Sequence, residues 1–421
     1  MPLFFFQTFG CQMNIADSDD FKRELLCRGY SETADAHLAD LLIVNTCSVR
    51  ENAESRAKSR IQEFGRIKKR GAALWVIGCM AQRLGDKLKE EIKNVDRVIG
   101  TRQGQAFLAS LDQYLPLYNH SVPQAEQHAS PGDFVAVMRG CENYCTYCIV
   151  PHVRGPEISI SAQEIVSKIS ERVKDGISEF TLLGQNVNSY HDAGTDFADL
   201  LKKVASIDGV RRVRFTTSHP KDCSKKLIET IAAASSLCKH IHLPVQAGSN
   251  RILGLMNRKY TAEHYHGLIE MIRSYLPDAD ITSDIMVGFP GETEQEFEDT
   301  LRLVEKVRYT TAFMFAYSAR EGTVAASMAD TVPEEVKLSR LKALIDLQTS
   351  ITKKIYDDAV GHELEVMING RQEKREKLWM GMDVGFKKVL LSCDNVQAGM
   401  ILKVRAVRSS GMTLICERIT Q

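Results

Sequence analysis

An alternation that starts, breaks and starts again limits the fold of this chain more than any other feature. Over the first ~115 residues Leu3–Thr8, Asp40–Asn45, Ala73–Ile77 and Val98–Gly100 read as strands, and Asp17–Arg28, Glu51–Arg70 and Leu84–Lys93 as helices. Strands joined through helices pair in parallel, so an α/β domain with a parallel sheet is expected. Residues 119–132, polar and proline-containing, read as a linker. From Asp133 the pattern resumes with longer repeats: Phe134–Met138, Glu179–Leu183, Arg212–Thr217, His240–Val245, Asp280–Val287 and Thr311–Tyr317. Six βα units predict a partial TIM-like (βα)6 barrel over 133–352, with its working residues at the C-terminal ends of the strands. After a helical stretch, Pro333–Ile355, come Glu363–Ile368, Leu378–Met382, Lys387–Leu391, Met400–Ala406 and Thr413–Glu417. Five short strands predict a small β-barrel over 353–421, and residues 1–118 form the first domain.

The net charge of zero gives no general case for a nucleic-acid partner. Locally, Arg56, Lys58, Arg60, Arg66, Lys68, Lys69 and Arg70 face only Glu63, which reads as a solvated helix face or as a grip on phosphates. The first residues lack a basic, then apolar leader, and no apolar run is long enough for a bilayer, so a cytoplasmic protein with no membrane partner is expected. Eleven cysteines, an odd number, argue against a disulfide framework and for metal or redox chemistry.

Cys141, Cys145 and Cys148 are spaced C-x3-C-x2-C after the first barrel strand. A closed zinc site wants four protein ligands. A four-iron cube held by three thiolates keeps one iron open, the corner at which S-adenosylmethionine (SAM) is cleaved in radical enzymes. The alternatives are a zinc knuckle completed by His152 and a redox C-x2-C pair. Tyr147 beside the third thiol reads as a platform for adenine or as filler. A second set, Cys11, Cys47 and Cys79, follows three strands of the first domain, two of them after glycine. Strand ends of a parallel sheet lie on one edge, where ligands bind, so these three can converge on a second cluster; the plainer reading is three buried cysteines. Cys27, Cys223, Cys238, Cys393 and Cys416 read as packing or surface residues.

The barrel's strand ends are polar. Gly184, Gln185 and Asn186 follow the second strand, Ser218 and His219 the third, and Gln246 the fourth; Asp284 lies in the fifth, with Gly288 and Glu292 after it. Together they suit the amino, carboxylate and ribose groups of SAM, although each alone fits a cap or turn. His219 reads as an acid–base or substrate residue or as a satisfied turn histidine. Arg258 reads as a partner for a carboxylate or phosphate or as a surface ion pair, and Glu292 as substrate or catalytic support.

Along its whole length the chain resembles the radical-SAM methylthiotransferases. The resemblance rests on Gly10-Cys11-Gln12-Met13-Asn14, Asn45-Thr46-Cys47-Ser48-Val49-Arg50-Glu51-Asn52-Ala53, Gly78-Cys79-Met80-Ala81-Gln82, Thr217-Ser218-His219-Pro220, His242-Leu243-Pro244-Val245-Gln246, Met256-Asn257-Arg258-Lys259-Tyr260-Thr261 and Val287-Gly288-Phe289-Pro290-Gly291-Glu292. The Met80-Ala81-Gln82 and Thr217–Pro220 stretches favour the tRNA-acting branch over the ribosomal-protein-acting one. The resemblance implies a [4Fe–4S] cluster on Cys141, Cys145 and Cys148 that binds SAM. It implies an auxiliary [4Fe–4S] or [3Fe–4S] cluster on Cys11, Cys47 and Cys79 that handles sulfur. It also implies a one-electron reductant such as flavodoxin or ferredoxin, a C-terminal TRAM domain, and as substrate an isopentenylated adenosine in a tRNA anticodon stem-loop. Two positions depart from the pattern: Pro156 stands where the family has a charge, and Met380-Gly381-Met382-Asp383 replaces the Thr-Gly-Arg-like signature of the small barrel.

Overall fold

The computed structural model describes residues 1–48, 51–102, 107, 109–111, 132–372 and 375–419. The expected linker lies outside these residues apart from Gly132. The described residues form two compact units: one within Met1–His128, with Arg139–Glu142 and Cys148–Ile158, and one within Ala129–Met138, Asn143–Tyr147 and Ser159–Gln421.

In the first unit β1 (Leu3–Thr8), β2 (Ser31–Glu32), β3 (Leu41–Thr46), β4 (Ala73–Gly78) and β5 (Arg97–Gly100) make a sheet in the order β2-β1-β3-β4-β5. Every pairing is parallel. The central strand β3 is buried at all six positions, which is why it opens on the apolar run Leu41–Val44 before buried Asn45 and Thr46. Phe4, Ile43, Trp75 and Phe107 pack on one face of the sheet, and Leu42, Val44, Phe64 and Val76 on the other. The chain steps outward from β1 to β2 and then back past β1 to β3. The strand order therefore reverses between β1 and β3, the switch point at which doubly wound sheets open a crevice.

Two helices of this unit begin earlier than expected. The first runs Gln12–Cys27 rather than from Asp17, because extended Cys11 takes the cap position and its carbonyl accepts the N–H groups of Asn14 and Ile15. The third starts at Cys79 rather than Leu84 and stops at Leu84, where Gly85 is left-handed; Lys87–Glu91 then forms a separate short helix.

In the second unit β6 (Gly132–Ala136), β9 (Glu179–Leu183) and β12 (Arg212–Phe215) form one parallel half, and β13 (His240–His242), β14 (Asp280–Val287) and β15 (Thr311–Ala316) the other. Short strands β7 (Met138–Arg139), β8 (Ile158–Ser159), β10 (His191–Asp192) and β11 (Thr195–Asp196) lie between them in sequence. Val213 bridges the halves, donating to Ser236 O at 2.8 Å and accepting from Cys238 N–H at 2.9 Å. The outer helices start on side-chain caps at Ser161, Asp196, Ser224, Thr261 and Thr293, each taking the N–H three residues on. The expected partial (βα)6 barrel is thus present.

After the helix Glu334–Asp358, strands β16 (Glu363–Gln372), β17 (Arg375–Asp383), β18 (Lys388–Leu391), β19 (Ile401–Ser409) and β20 (Leu414–Arg418) close a barrel in the order β16-β17-β18-β20-β19. It is seated on the N-terminal ends of the parallel strands. Arg212, first residue of β12, donates to Met382 O and Glu365 O at 2.9 Å, and Lys387 Nζ meets Asp280, first residue of β14, at 2.6 Å. The small barrel therefore lies at the opposite end of these strands from the polar rim.

Candidate iron–sulfur and SAM sites

Cys11 follows β1, Cys47 follows β3 and Cys79 follows β4, so the first two flank the reversal of strand order. Asn14 ties that crevice together, its amide donating to Phe9 O at 2.8 Å and Thr46 O at 3.0 Å. The glycines before two of the cysteines are required. Gly10 has φ +118°, and a Cβ there would come within 2.6 Å of Cys47 Cβ. Gly78 has φ +96°, and a Cβ would strike Asn45 Oδ1 and Thr46 O. Burial pushes the Cys79 thiol up to about 11, with nearby Cys47 and Cys11 adding to the rise and Arg154 opposing it. The three thiols thus lie close enough to interact.

Arg154, which the sequence reading did not single out, is the principal addition the structure makes to this site. It is buried, hydrogen-bonds the Cys79 thiol, donates to Asn14 Oδ1 at 2.8 Å and meets Asp17 Oδ2 at 3.3 Å. Burial would lower its affinity for the proton, but Cys79, Asp17 and Cys11 raise it, so the guanidinium stays charged. Arg154 sits on the short helix Val150–Arg154, whose Ile149 and Val153 pack on Cys79. Arg102 holds the same helix through the Pro151 and His152 carbonyls at 2.9 and 2.8 Å. A cavity of ≈ 650 Å³ opens alongside, lined among others by Asp17, Asn45, Arg139 and Arg154.

The C-x3-C-x2-C loop is braced on both sides of its sequence. In the first unit Cys141 N–H donates to Gly155 O at 3.1 Å, and left-handed Gly140 lies against the Pro156 carbonyl with no room for a side chain. In the second unit Thr146 donates to Met256 O at 3.1 Å and, through its hydroxyl, to Leu255 O at 2.8 Å. Asn257 holds the carbonyls of Asn143 and Tyr144 at 3.2 and 2.9 Å. Arg258 is buried beside the second thiol, its Nη1 3.3 Å from Cys145 Sγ, its Nε 2.8 Å from Tyr260 Oη and its Nη2 2.9 Å from Pro244 O. Among the described residues no carboxylate pairs with it. This corrects both sequence readings of Arg258: it is neither a surface ion pair nor open to a substrate phosphate.

A buried cation is costly unless an anion answers it. Asp17 answers Arg154, whereas Arg258 has no carboxylate partner among the described residues, so a thiolate at Cys145 would answer its charge. Among the described residues no three His, Cys, Asp or Glu side chains gather on a single metal ion. His152, the alternative zinc ligand, is exposed.

At the rim of the second unit, Asn186 Oδ1 after β9 and Ser218 Oγ after β12 are buried with no hydrogen-bond partner among the described residues. Buried orphans of this kind are rare, and donors of a bound amino or hydroxyl group would satisfy them. Asn186 is oriented by its amide, which donates to Asp222 at 2.8 Å. Gln185 is half-buried next to it, and Gly184 packs on Met138 too closely for any side chain. Gln246 is buried and left-handed (φ +72°), and its backbone bridges β14. Asp284 is part-exposed, 3.7 Å from His242. Tyr147 lies by Arg258. Gly288 (φ +69°) donates its N–H to Glu292 at 2.7 Å.

Glu292 is closed off from any substrate: its side chain is 0% exposed and is bound by Gly288 N–H and Arg340. It anchors the loop after β14. His219 caps the short turn Pro220–Asp222, its Nδ1 accepting from Lys221 N–H at 3.2 Å. Burial, reinforced by Arg258 and Lys221, drives its pKa down to about 2, so the ring is neutral and its proton sits on Nε2. Of the seven cations from Arg56 to Arg70, four are already paired: Lys58 with Glu91, Arg60 with Glu63, Lys68 with Asp96 and Lys69 with Asp40. Cys223, Cys238 and Cys416 are buried and Cys27 is exposed.

Comparison with known proteins agrees with this geometry. Residues 135–304 match the Radical SAM superfamily, and residues 3–100 match a family described as uncharacterized protein family UPF0004. A radical S-adenosylmethionine methyltransferase, TsrM, of Kitasatospora setae, solved with cobalamin and a [4Fe-4S] cluster, shares the fold at TM-score 0.57 and 12% identity over 77% of each chain. The present chain thus combines a radical-SAM barrel with an α/β domain that precedes it in sequence. The tRNA-2-methylthio-N(6)-dimethylallyladenosine synthase of Acetivibrio thermocellus is 42% identical over 96% of this chain and 88% of its own. That of Geotalea uraniireducens is 41% identical over 98% of both, and that of Syntrophotalea carbinolica 38% over the full length of both. The chain belongs to the tRNA-2-methylthio-N(6)-dimethylallyladenosine synthase family of radical-SAM methylthiotransferases.

Proposed function

We propose that this chain adds a methylthio group to C2 of N6-isopentenyl (dimethylallyl) adenosine at position 37, beside the anticodon of tRNA. Two SAM are used per turnover, one as methyl donor and one as radical source. The observation that carries the reading is the second cysteine set at the switch point of the first sheet: a radical enzyme that only abstracts hydrogen has no use for it. Cys141, Cys145 and Cys148 hold the SAM cluster, and Cys11, Cys47 and Cys79 the auxiliary one. When bound, the first cluster supplies the electron that splits SAM into methionine and a 5′-deoxyadenosyl radical, and the second supplies the site for sulfur.

The chain's own groups orient and shield. Asn186 and Ser218 offer acceptors, and Asp284 a carboxylate, to the amino and hydroxyl groups of SAM. Tyr147 would offer its ring to the adenine. Arg258 and Arg154 place positive charge on Cys145 and Cys79. A base in an anticodon loop must be splayed out to reach such a rim. The reductant is a flavodoxin or ferredoxin, and the reaction belongs to the cytoplasm, where tRNA is. No described helix is long and apolar enough to cross a membrane.

Anaerobic turnover of the reconstituted protein with SAM and an isopentenylated anticodon stem-loop, followed by nucleoside mass spectrometry, tests this. The expected product is the 2-methylthio nucleoside with 5′-deoxyadenosine. Methylthiolation instead of threonylcarbamoyl-adenosine or of a ribosomal-protein aspartate would reassign the substrate. No 5′-deoxyadenosine at all would leave a non-catalytic iron–sulfur RNA-binding protein.

A further inference from the structure

Inside the parallel barrel, paired residues of β13 and β14 set His240, His242, Thr282 and Asp284 along one line. The fully buried Thr282 hydroxyl lies 2.9 Å from His240 Nε2 and 2.9 Å from His242 Nδ1. A hydroxyl has one hydrogen to give, so one ring nitrogen accepts from it and the other donates to it, and the two tautomers are tied. The far nitrogen of His242 faces Asp284 Oδ1 at 3.7 Å, a gap closed by a small shift or a bridging water. Burial and then the charge of Arg214 hold His240 well below the usual imidazole range, so it stays neutral.

The lower end of the line is closed by the C-terminal barrel. Phe386, in the turn between β17 and β18, stacks on His240 with ring centroids 4.2 Å apart and planes 18° apart. Asp280 fixes this turn, accepting from Phe386 N–H at 2.7 Å and from Lys387 Nζ at 2.6 Å. Arg214 donates to the carbonyls of Asp383 and Gly385, and a side chain at Gly385 would collide with Asp280.

We propose that Phe386 and the His240–Thr282–His242 line are positioning residues for SAM: they hold the Asp284 carboxylate from below, so that the small barrel contributes to cosubstrate binding even without RNA. This rests on the reading that Asp284 contacts SAM. SAM affinity is measured by equilibrium dialysis on anaerobically reconstituted protein, without RNA and at matched iron content. Thr282→Val and Phe386→Leu are each expected to weaken binding roughly two- to tenfold, the worth of one hydrogen bond in the first and of one ring-stacking contact in the second. Thr282→Ser, which keeps the hydroxyl and loses the methyl, is expected to bind like wild type; a packing role alone predicts that Ser is worse than Val. If Thr282→Val does not fold, Phe386→Leu, at the far end of the line, carries the test. Asp284→Asn separates the two readings. Unchanged affinity in that variant overturns the SAM contact itself. Weakened affinity there, with wild-type binding in Thr282→Val and Phe386→Leu, overturns the line.

Discussion

Replacing Arg258 by methionine gives the sharpest electrostatic test of the barrel site. The guanidinium is buried, lies 3.3 Å from Cys145 Sγ and has no carboxylate partner among the described residues. On a cluster thiolate its charge favours the reduced, more negative state, so removing it should lower the reduction potential. A hydrogen bond to a charged group is worth about 1.5–3 kcal/mol. At about 59 mV per tenfold change for a one-electron couple, that corresponds to a fall of roughly 65–130 mV, an upper bound because both oxidation states feel part of the contact. The assay is an EPR-monitored potentiometric titration of protein reconstituted at this site alone, in a Cys11→Ala background, with iron content matched to the parent. A potential that is unchanged or higher in Arg258→Met would refute the argument. Arg258→Lys, which keeps the charge without the planar fork, should fall between the two.

Other consequences are open to direct measurement. Cys11→Ala is expected to release 5′-deoxyadenosine but insert no sulfur, and Cys141→Ala to do neither; sulfur insertion by Cys11→Ala would break the division of labour between the cysteine sets. Gly140→Ala forces a β-carbon toward the Pro156 carbonyl in a left-handed backbone, so reconstituted iron should drop by about half while the first sheet's share remains; full iron would show the loop to be looser than described. At Glu296 burial alone would raise the carboxyl, but Arg251, Thr293 and Ser249 outweigh it and hold the pKa at about 2. Its stabilisation is therefore complete above the ordinary 4.5 and is lost as pH falls through about 2. Glu296→Gln should cost about 1 kcal/mol near neutral pH, the scale of a lost cap, and the difference in urea denaturation should shrink on acidification; a difference that widened would contradict the assignment.

Much of this architecture was legible because the strands are buried on both faces and show as short apolar runs between helical patterns. All six barrel strands and all five strands of the closing barrel were foreseen, and the two-residue strands β2, β8, β10 and β11 were missed. Helix starts failed at the cysteines: Cys11 is the cap of one helix and Cys79 the first residue of another, and Asp17, which looked like a start, faces Arg139 and Arg154 instead. The cysteine sets were visible by spacing, whereas their charge partners were not. Arg258 meets a sulfur 113 positions away, and sequence supplies no periodicity for such a contact. Glu292 looked available for substrate because nothing local shows that Arg340, 48 positions on, covers it.

The separation of Arg258 from Cys145 also bears on timing during synthesis. Cys11, Cys47 and Cys79 come from consecutive βα turns and need only the first sheet to meet, so they can gather while most of the chain is still unmade. The C-x3-C-x2-C thiols emerge next, but the braces from Leu255 to Arg258 are translated about a hundred residues later. Until then the second cysteine of the loop lacks both its anchor and its counter-charge. On the assignment proposed above, the surroundings of Cys11, Cys47 and Cys79 would thus be completed before those of Cys145, an order in which the radical chemistry would be withheld until the barrel has formed.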